Sequence, residues 1–531
     1  MIRSDGVPEY RRLRAPRRDG EILIDPALGT VSARVTDNIC DRRQIEGDLH
    51  GKSWTELAEA ARLSLLASAA RYTAAYRTVA EFPRHETTPI LLSGHQPQLF
   101  HPGVWFKNFV SWQLAQRLGA RAIHLLIDSD TQDTPAIRVP TGSPTAPTAE
   151  YIALDRAIEP IPYEERYILE IDLFESFARR VAAKIRPLVN EPLVTRLWPF
   201  AVSAIRRHKN LGRALAEARH RVEGEWGVET WEVPFSELSE TEPFRWFLVH
   251  LLAELPRFFD IYNTALLDYR RTNRIRSRSH PVPHLARIDD WLEAPFWIWS
   301  SNDPRRRRLF VRRCGSELEL TDRVGQTFRL DAPGDRSAEK AVSQLAEIRT
   351  DRPKIRSRAL TTTMYARLFL GDFFLHGIGG AKYDQLTDAI VQRFFGWRPP
   401  NFGVATATLM LPIDRPYVQR EQLRAVEQQL REMRFHPESF VCKTDATQRI
   451  VAAKRRSIAN DPPRGQRRQR HLQIAQANHA LQDHLVTQHS ALANLREQLK
   501  HQLRCEKLLG SREFAFCLFP ERTLQDRLLD F

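Results

Sequence analysis

Histidines, acids and glycines gather at three places in this 531-residue chain where turn-forming residues interrupt apolar runs. In Gly94-His95-Gln96-Pro97-Gln98-Leu99-Phe100-His101-Pro102-Gly103, His95 and Gln96 offer hydrogen bonds to the anionic oxygens of a ligand. A protonated His101 would offset charge on a group in transfer. The plainer reading of all three is that they brace the loop or cap the helix that follows. Lys107 and Asn108 sit in the first turns of that helix, where Lys107 meets a phosphate or carboxylate, or simply solvent. In Asp128-Ser-Asp130-Thr-Gln-Asp133, the two aspartates suit a substrate ammonium, ribose hydroxyls or a hydrated magnesium ion, as hard cations prefer carboxylates. Acids at strand ends also cap helices.

The third place is Gly377-Ile378-Gly379-Gly380, followed by Lys382, Tyr383 and Asp384. Such a glycine loop lets backbone N–H groups approach an anion at a helix start, and it equally serves tight strand-to-helix packing. Its spacing is neither the dinucleotide fingerprint nor a Walker loop. His376 just before it reads as a core histidine. His95, His101 and Asp130 are therefore the candidate catalytic groups. Gly94, Gln96, Lys107, Asn108, Asp128, Gly377, Gly379, Gly380, Lys382, Tyr383 and Asp384 are the candidate binding groups. No metal site is assigned, because a zinc set drawn from His95, His101 and the aspartates lacks diagnostic spacing.

These residues need elements to hold them. Pro89–Gly94 is an apolar strand, 95–103 a loop, Val104–Leu118 an amphipathic helix, and Ala122–Ile127 a second strand that opens into the acids. That is one βαβ unit, and ligands of open parallel sheets bind at strand carboxyl ends. A second unit pairs the strand Phe373–His376 with the glycine loop and a helix over Lys382–Phe395, after a helix over Ala359–Leu370. Asn401–Leu411 supplies another strand.

The fold expected is α/β, a Rossmann-like parallel sheet core with helical and small β insertions and a C-terminal antiparallel coiled coil. Residues 1–85 form an irregular arm and a flanking helix over Trp54 to about Val79. The core spans 86–415, with 163–285 mainly helical and a small β insertion over 295–331. Residues 416–512 form a coiled-coil hairpin broken at Asp461–Gly465, and 513–531 a tail returning to the core. On Gln473–Leu503 the seam Ile474, Asn478, Leu481, Leu485, Gln488, Leu492, Leu495, Leu499, Gln502 alternates steps of four and three, a coiled-coil period.

Composition bounds the function. The chain is 42% hydrophobic and 27% charged, and no apolar run approaches the ~20 residues that span a bilayer. Arg3, Arg11, Arg12, Arg14, Arg17 and Arg18 precede no apolar stretch of a secretory signal, so the cytoplasm is the expected location. The cysteines Cys40, Cys314, Cys442, Cys505 and Cys517 are scattered, which argues against a structural zinc and against a disulfide framework. A net charge of +14 raises nucleic acid as a partner. The basic runs, Arg305–Arg308 with Arg312 and Arg313, Lys454–Arg456 and Arg464–Arg470, fall in different elements and read first as solvated faces.

Gly94–Gly103 resembles the glycine, glutamine and Leu-Phe turn after the first core strand of the bacillithiol biosynthesis cysteine-adding enzymes, the BshC family. His376–Asp384 is similar to that family's glycine loop, and Leu524-Gln-Asp-Arg-Leu-Leu-Asp-Phe531 to its terminal motif. The resemblance implies a Rossmann-like core related to nucleotidyltransferases, a coiled-coil homodimer, and a ligase joining cysteine to glucosaminyl malate. ATP or ADP with magnesium is the cofactor it admits, and a small molecule the substrate. The acidic loop departs from the family in lacking a histidine, and His101-Pro-Gly103-Val104 lacks the second histidine of the HxGH signature of adenylyl-transferring enzymes. A non-catalytic binding or scaffold protein on the same fold is the alternative, and a nucleic-acid binder the third reading.

Overall fold

The computed structural model describes residues 13–78, 88–131, 134–277, 279–332, 337–347, 353–417 and 419–531. Arg3, Arg11, Arg12, Val79 and Asp133, named above, lie outside them. The protein is mixed α/β, and it divides into two compact units. The first comprises 1–139, 151–411 and 512–531, and the second 140–150 and 412–511.

The first unit opens with a strand, β1 (Ile22–Asp25), and the helices α1 (Leu28–Arg43) and α2 (Trp54–Ala74), the latter started by a Ser53/Glu56 capping box. Then come β2 (Ile90–His95), α3 (Pro102–Leu118) and β3 (Arg121–Leu126). Pro102 occupies the first helical position of α3, where no N–H is missed, and Gly119 at φ +57 ends it. A two-stranded sheet, β4 (Ala136–Ser143) and β5 (Ala146–Ala153), whose residues 140–150 are counted with the second unit, precedes four helices: α4 (Ile171–Glu175), α5 (Phe177–Ile185), α6 (Val194–His208) and α7 (Leu211–Glu225). Next are β6 (Trp231–Pro234), α8 (Phe235–Leu238), α9 (Glu242–Ala253) and α10 (Leu255–Thr272).

A second sheet follows, built from β7 (Arg287–Ile288), β8 (Trp291–Ser300), β9 (Asp303–Cys314), β10 (Glu317–Thr321) and β11 (Thr327–Asp331). After α11 (Glu339–Ala346), β12 (Lys354–Ser357) completes it against β8. The β region is therefore wider than 295–331: it starts at Arg287 and takes in a strand beyond the expected boundary. Helix α12 (Ala359–Tyr365) continues as a π-helical turn to Leu370, and β13 (Phe373–His376), α13 (Ile378–Phe395) and β14 (Phe402–Ala407) close the central sheet.

That sheet has the order β1-β14-β13-β2-β3-β6. Five strands run parallel, and all four residues of β13 and all six of β3 and β14 are buried, the pattern of strands covered on both faces. β1 runs antiparallel to β14, so the sheet is mixed and not purely parallel. The arm expected to be irregular up to Trp54 thus supplies an edge strand and a helix. β6 likewise places a sheet strand inside the stretch read as helical. One apolar core joins both sheets, α2, α9, α10 and α13. Residues 512–531 fold onto α3, with α18 (Glu521–Leu528) against it and the Phe531 ring 4.7 Å from that of Phe106.

The second unit holds α14 (Arg420–Phe435), α15 (Asp445–Ala459), α16 (Arg467–Gln482) and α17 (Val486–Leu509). Here α14 packs on α17 through Val426, Leu430 and Leu499, and α15 on α16. The run expected to continue over Gln473–Leu503 is interrupted by a 3-10 turn at Asp483–Leu485, which separates α16, packed mainly on α15, from α17, packed on α14. Among the described residues no helix is long and apolar enough to cross a membrane.

Candidate functional site

The loops after β2 and β3 and the start of α13 line one cavity of about 620 Å³. Gly94, His95, Gln96, His101, Lys107 and Asp130 come from the first βαβ unit, and His376, Gly377, Gly379, Gly380 and Tyr383 from the second. Parallel pairing of β13 with β2 and of β2 with β3 forces this, since it puts all three strand carboxyl ends on one edge. Tyr262, Val282, Trp297, Leu360 and Phe374 give the cavity an apolar wall.

Side-chain contacts tie the first loop down. Gln96 Nε2 donates to Asp130 Oδ2 at 2.6 Å, and His95 Nδ1 lies 3.2 Å from the Gln96 carbonyl with its ring edge-on to Phe100. Burial, with the Lys107 charge adding to it, holds the His95 imidazole well below its ordinary range. His101 is the N-cap residue of α3, although its side chain makes no cap bond. Burial pushes it down to about 4 against the opposing pull of Glu513, 3.7 Å away. At neutral pH His101 is a neutral imidazole, which corrects the expectation of a protonated group. Gly103 is fixed by close approach: a Cβ there would lie 2.0 Å from the Ala407 carbonyl oxygen.

Lys107 overturns the expectation of a solvated lysine. It is 1% exposed yet lines the cavity, because α3 is sandwiched and buries most of its faces. Burial lowers it to about 7, Arg219 lowers it further in the same sense, and Glu223 opposes both. Among the described residues no hydrogen bond or ion pair reaches its Nζ. Glu223 is taken up by Arg219, Trp105 and Asn108. Asn108 therefore serves this buried network and does not line the cavity. His220, Glu223 and Glu232 lie together in it, but Arg219 spans the two carboxylates, so a guanidinium already pairs with both acids.

The acids part company. Asp130 faces the cavity and pairs with Arg306 at 2.7 Å. Asp128 lies outside it and accepts hydrogen bonds from the Ser236 N–H and hydroxyl at the start of α8, with burial raising it to about 7. Its role is to fasten β3 to α8, not to hold substrate.

The residues read as a glycine loop form a helix start: Gly377 is the N-cap and Ile378–Gly380 the first turn of α13. Lys382 points away, exposed, with its carbonyl accepting from the Tyr269 hydroxyl. Tyr383 stays at the cavity, its phenol raised to about 12 by burial. Asp384 is fully buried and takes hydrogen bonds from Thr363 and Arg367 while pairing with His376 at 2.8 Å. Burial would raise it, but Arg367 and then His376 hold it well below the usual carboxylate range. It orients His376 and is closed to ligand.

Arg306, Arg358, Arg512 and Trp297 also line the cavity, none of them foreseen. The Arg306 and Arg358 guanidiniums lie 4.5 and 4.1 Å from the Trp297 ring centroid. Arg512 donates to Thr408 at 3.0 Å and Thr406 at 3.4 Å. The signal for Arg306 was the two-residue period of β9: Arg305 and Arg307 both bind Asp303, while Arg306 and Arg308 reach Asp130 and Glu293. Nothing local marks Arg512. Each arginine of the run Arg305–Arg308 is thus paired with an acid. Neither a protein-family model nor a curated protein matches the chain.

Proposed function

We propose that the protein is a carbon–nitrogen bond-forming ligase of low-molecular-weight thiol biosynthesis, joining cysteine or a similar amino acid to an amino-sugar acceptor. One observation carries this reading: the two strand-end loops meet in a single cavity that mixes neutral imidazoles with lysine and arginine. An acceptor such as glucosaminyl malate brings carboxylates for the cations and an amine that must shed a proton to attack. Neutral His95 and His101 are the bases in reach of such an amine. Asp130, tethered to Gln96 and Arg306, offers an anchor for an ammonium.

Amide formation from a free carboxylate needs activation. ATP with magnesium would supply it when bound, by phosphoryl or adenylyl transfer that leaves ADP and phosphate or AMP and pyrophosphate, and Lys107, Arg306 and Arg358 are the cavity cations that would hold its phosphates. The repeated strand–helix–strand order around β2 and β13 agrees with a Rossmann-like core, and the helices of the second unit with a coiled coil through which two copies associate in the cytoplasm. In a scaffold protein, by contrast, such a cavity would be filled by side chains.

The test is a thermal-shift panel with ATP and magnesium, ADP, cysteine, glucosaminyl malate and short DNA, followed by mass spectrometry of the incubated mixture. A raised midpoint with nucleotide or thiol precursor, and a condensed product that His95→Ala abolishes, are expected. Silence from every small molecule would transfer the reading to the scaffold.

A further inference from the structure

Two glycines at the start of α13 have no packing reason to be glycine. A Cβ on Gly380 would sit 2.9 Å from His376 Nδ1, so the fold requires that one. Gly377 and Gly379 would meet nothing within 4 Å, and neither has a positive φ. Gly379 lies inside the first helical turn, where glycine is less favourable than alanine. What the pair does provide is access. The first main-chain bond of the helix runs from the Ala381 N–H to the Gly377 carbonyl at 3.1 Å, and the helix has no side-chain cap. Among the described residues the N–H groups of Ile378, Gly379 and Gly380 have no acceptor. They open into the cavity at the positive end of an 18-residue helix.

Lys107 is the second, independent observation. It is buried to 1% exposure, lines the same cavity, and has no hydrogen-bond partner among the described residues. His95, His101 and His376 line that cavity with it, and its charge lowers all three, as it does the buried His124 of β3. A buried cation and open N–H donors lining one cavity are an arrangement that an anion completes.

We propose that Lys107 and the first-turn N–H groups of α13 form an oxyanion subsite, which takes a phosphoryl or carboxylate group of the ligand. The subsite is proton-coupled. Lys107 faces Arg219 and Glu223 from α7, His95 and His101 from the first loop, His124 from β3 and His376 from β13. It carries its proton below about pH 7. Anion affinity therefore falls as pH rises above that point, approaching tenfold per pH unit. This inference rests on the cavity being a ligand site, not on its ligase chemistry.

The test is calorimetric titration of the full chain with sulfate, which stands for a phosphoryl group, and with malate, both dianionic between pH 6.5 and 8.5. Binding of either at pH 6.5, weakening at least tenfold by pH 8.5, is expected, and the tighter anion identifies the group taken. Gly379→Val should lose at least tenfold in affinity with an unchanged melting point, and Lys107→Met should lose both affinity and pH dependence. Lys107→Arg keeps the charge and controls for folding. No binding of either anion at millimolar concentration, or unaltered binding by a folded Lys107→Met and Gly379→Val, overturns the subsite. Anion binding without ligation would overturn the reaction and leave the subsite standing.

Discussion

Gln96 Nε2 donates to Asp130 Oδ2 at 2.6 Å, which ties the loop after β2 to the loop after its parallel neighbour β3 at the cavity rim. Arg306 closes on the other carboxylate oxygen at 2.7 Å. Asp130 is about a third exposed, its side chain at 34%, so solvent screens the pair and its stability share is small. Asp130→Asn should cost about 1 kcal/mol or less of stability. Ligand binding should fall far more, because Arg306 then loses its anchor beside Trp297. A thermal melt and a ligand titration on the same sample separate the two; equal losses in both would contradict a rim role.

Gly103 and Gly379 make a contrasting pair. The Gly103 Cβ position is 2.0 Å from a main-chain carbonyl, and backbone cannot swing aside as a long side chain can. Gly103→Ala should cost about 1–3 kcal/mol, the range of overpacking, or prevent folding. Gly379→Ala enters open space and should stabilise the ligand-free protein by about 0.4–1 kcal/mol through the unfolded chain. Denaturant midpoints of the two variants check both signs.

Lys107 is the clearest case of stability given up at a site. Its pKa is lowered in the folded state to about 7, so folding is penalised for every proton the unfolded chain holds more tightly. The penalty is absent above the unfolded value, grows as pH falls toward 7, and is constant below that. Lys107→Met should therefore stabilise the protein at pH 7 by on the order of 4 kcal/mol, with the gain shrinking to about 1 kcal/mol by pH 9.5. Melting curves at the two pH values test it. A variant less stable than the parent at pH 7 would mean that the ammonium has a partner.

The strands and helices around this site were legible because their residues obey one environment each. Ile90–Ser93 and Phe373–His376 are wholly buried, and an apolar run bounded by turn residues announces that. Ile22–Asp25 escaped notice because it pairs on one side only and is half-buried, so its four residues carry no period. Trp231–Pro234 was submerged in helical neighbours. Lys107 was misread because its neighbours on every side of α3 are buried, so no polar face exists for it to join. The arginine of β9 that reaches the cavity could be sorted from its neighbours only by strand parity, and Arg512 only by the tertiary fold.

The pairing of Arg305–Arg308 with acids bears on the nucleic-acid reading. Arg307 bridges Asp303 and the buried Asp322, whereas Arg305 is solvent-facing. Arg307→Ala should cost about 1–3 kcal/mol because Asp322 Oδ2 loses its donor while Oδ1 keeps the N–H groups of Val324, Gly325 and Gln326, and Arg305→Ala should leave the melting point unchanged. Neither should alter retention on immobilised duplex DNA. Loss of DNA affinity in both, with a steep salt dependence, would reinstate that reading.

His376 and Asp384 carry the last prediction. The Asp384 carboxylate is fully buried, and what keeps it ionised is Arg367 together with His376, Thr363 donating as well. A depressed folded pKa contributes stability that is present above the unfolded value and lost as pH falls through the folded one. Asp384→Asn removes the anion while Arg367 stays buried with Asp388 as its remaining carboxylate. The cost should be about 3–5 kcal/mol at pH 7, as for a broken buried pair, and should narrow below pH 4 where the unfolded carboxylate also takes its proton. Denaturant midpoints at pH 7 and pH 3 measure it. Because His376 borders the cavity and Asp384 fixes its ring, the variant should also weaken anion binding, unlike a core substitution of equal cost such as Leu386→Ala.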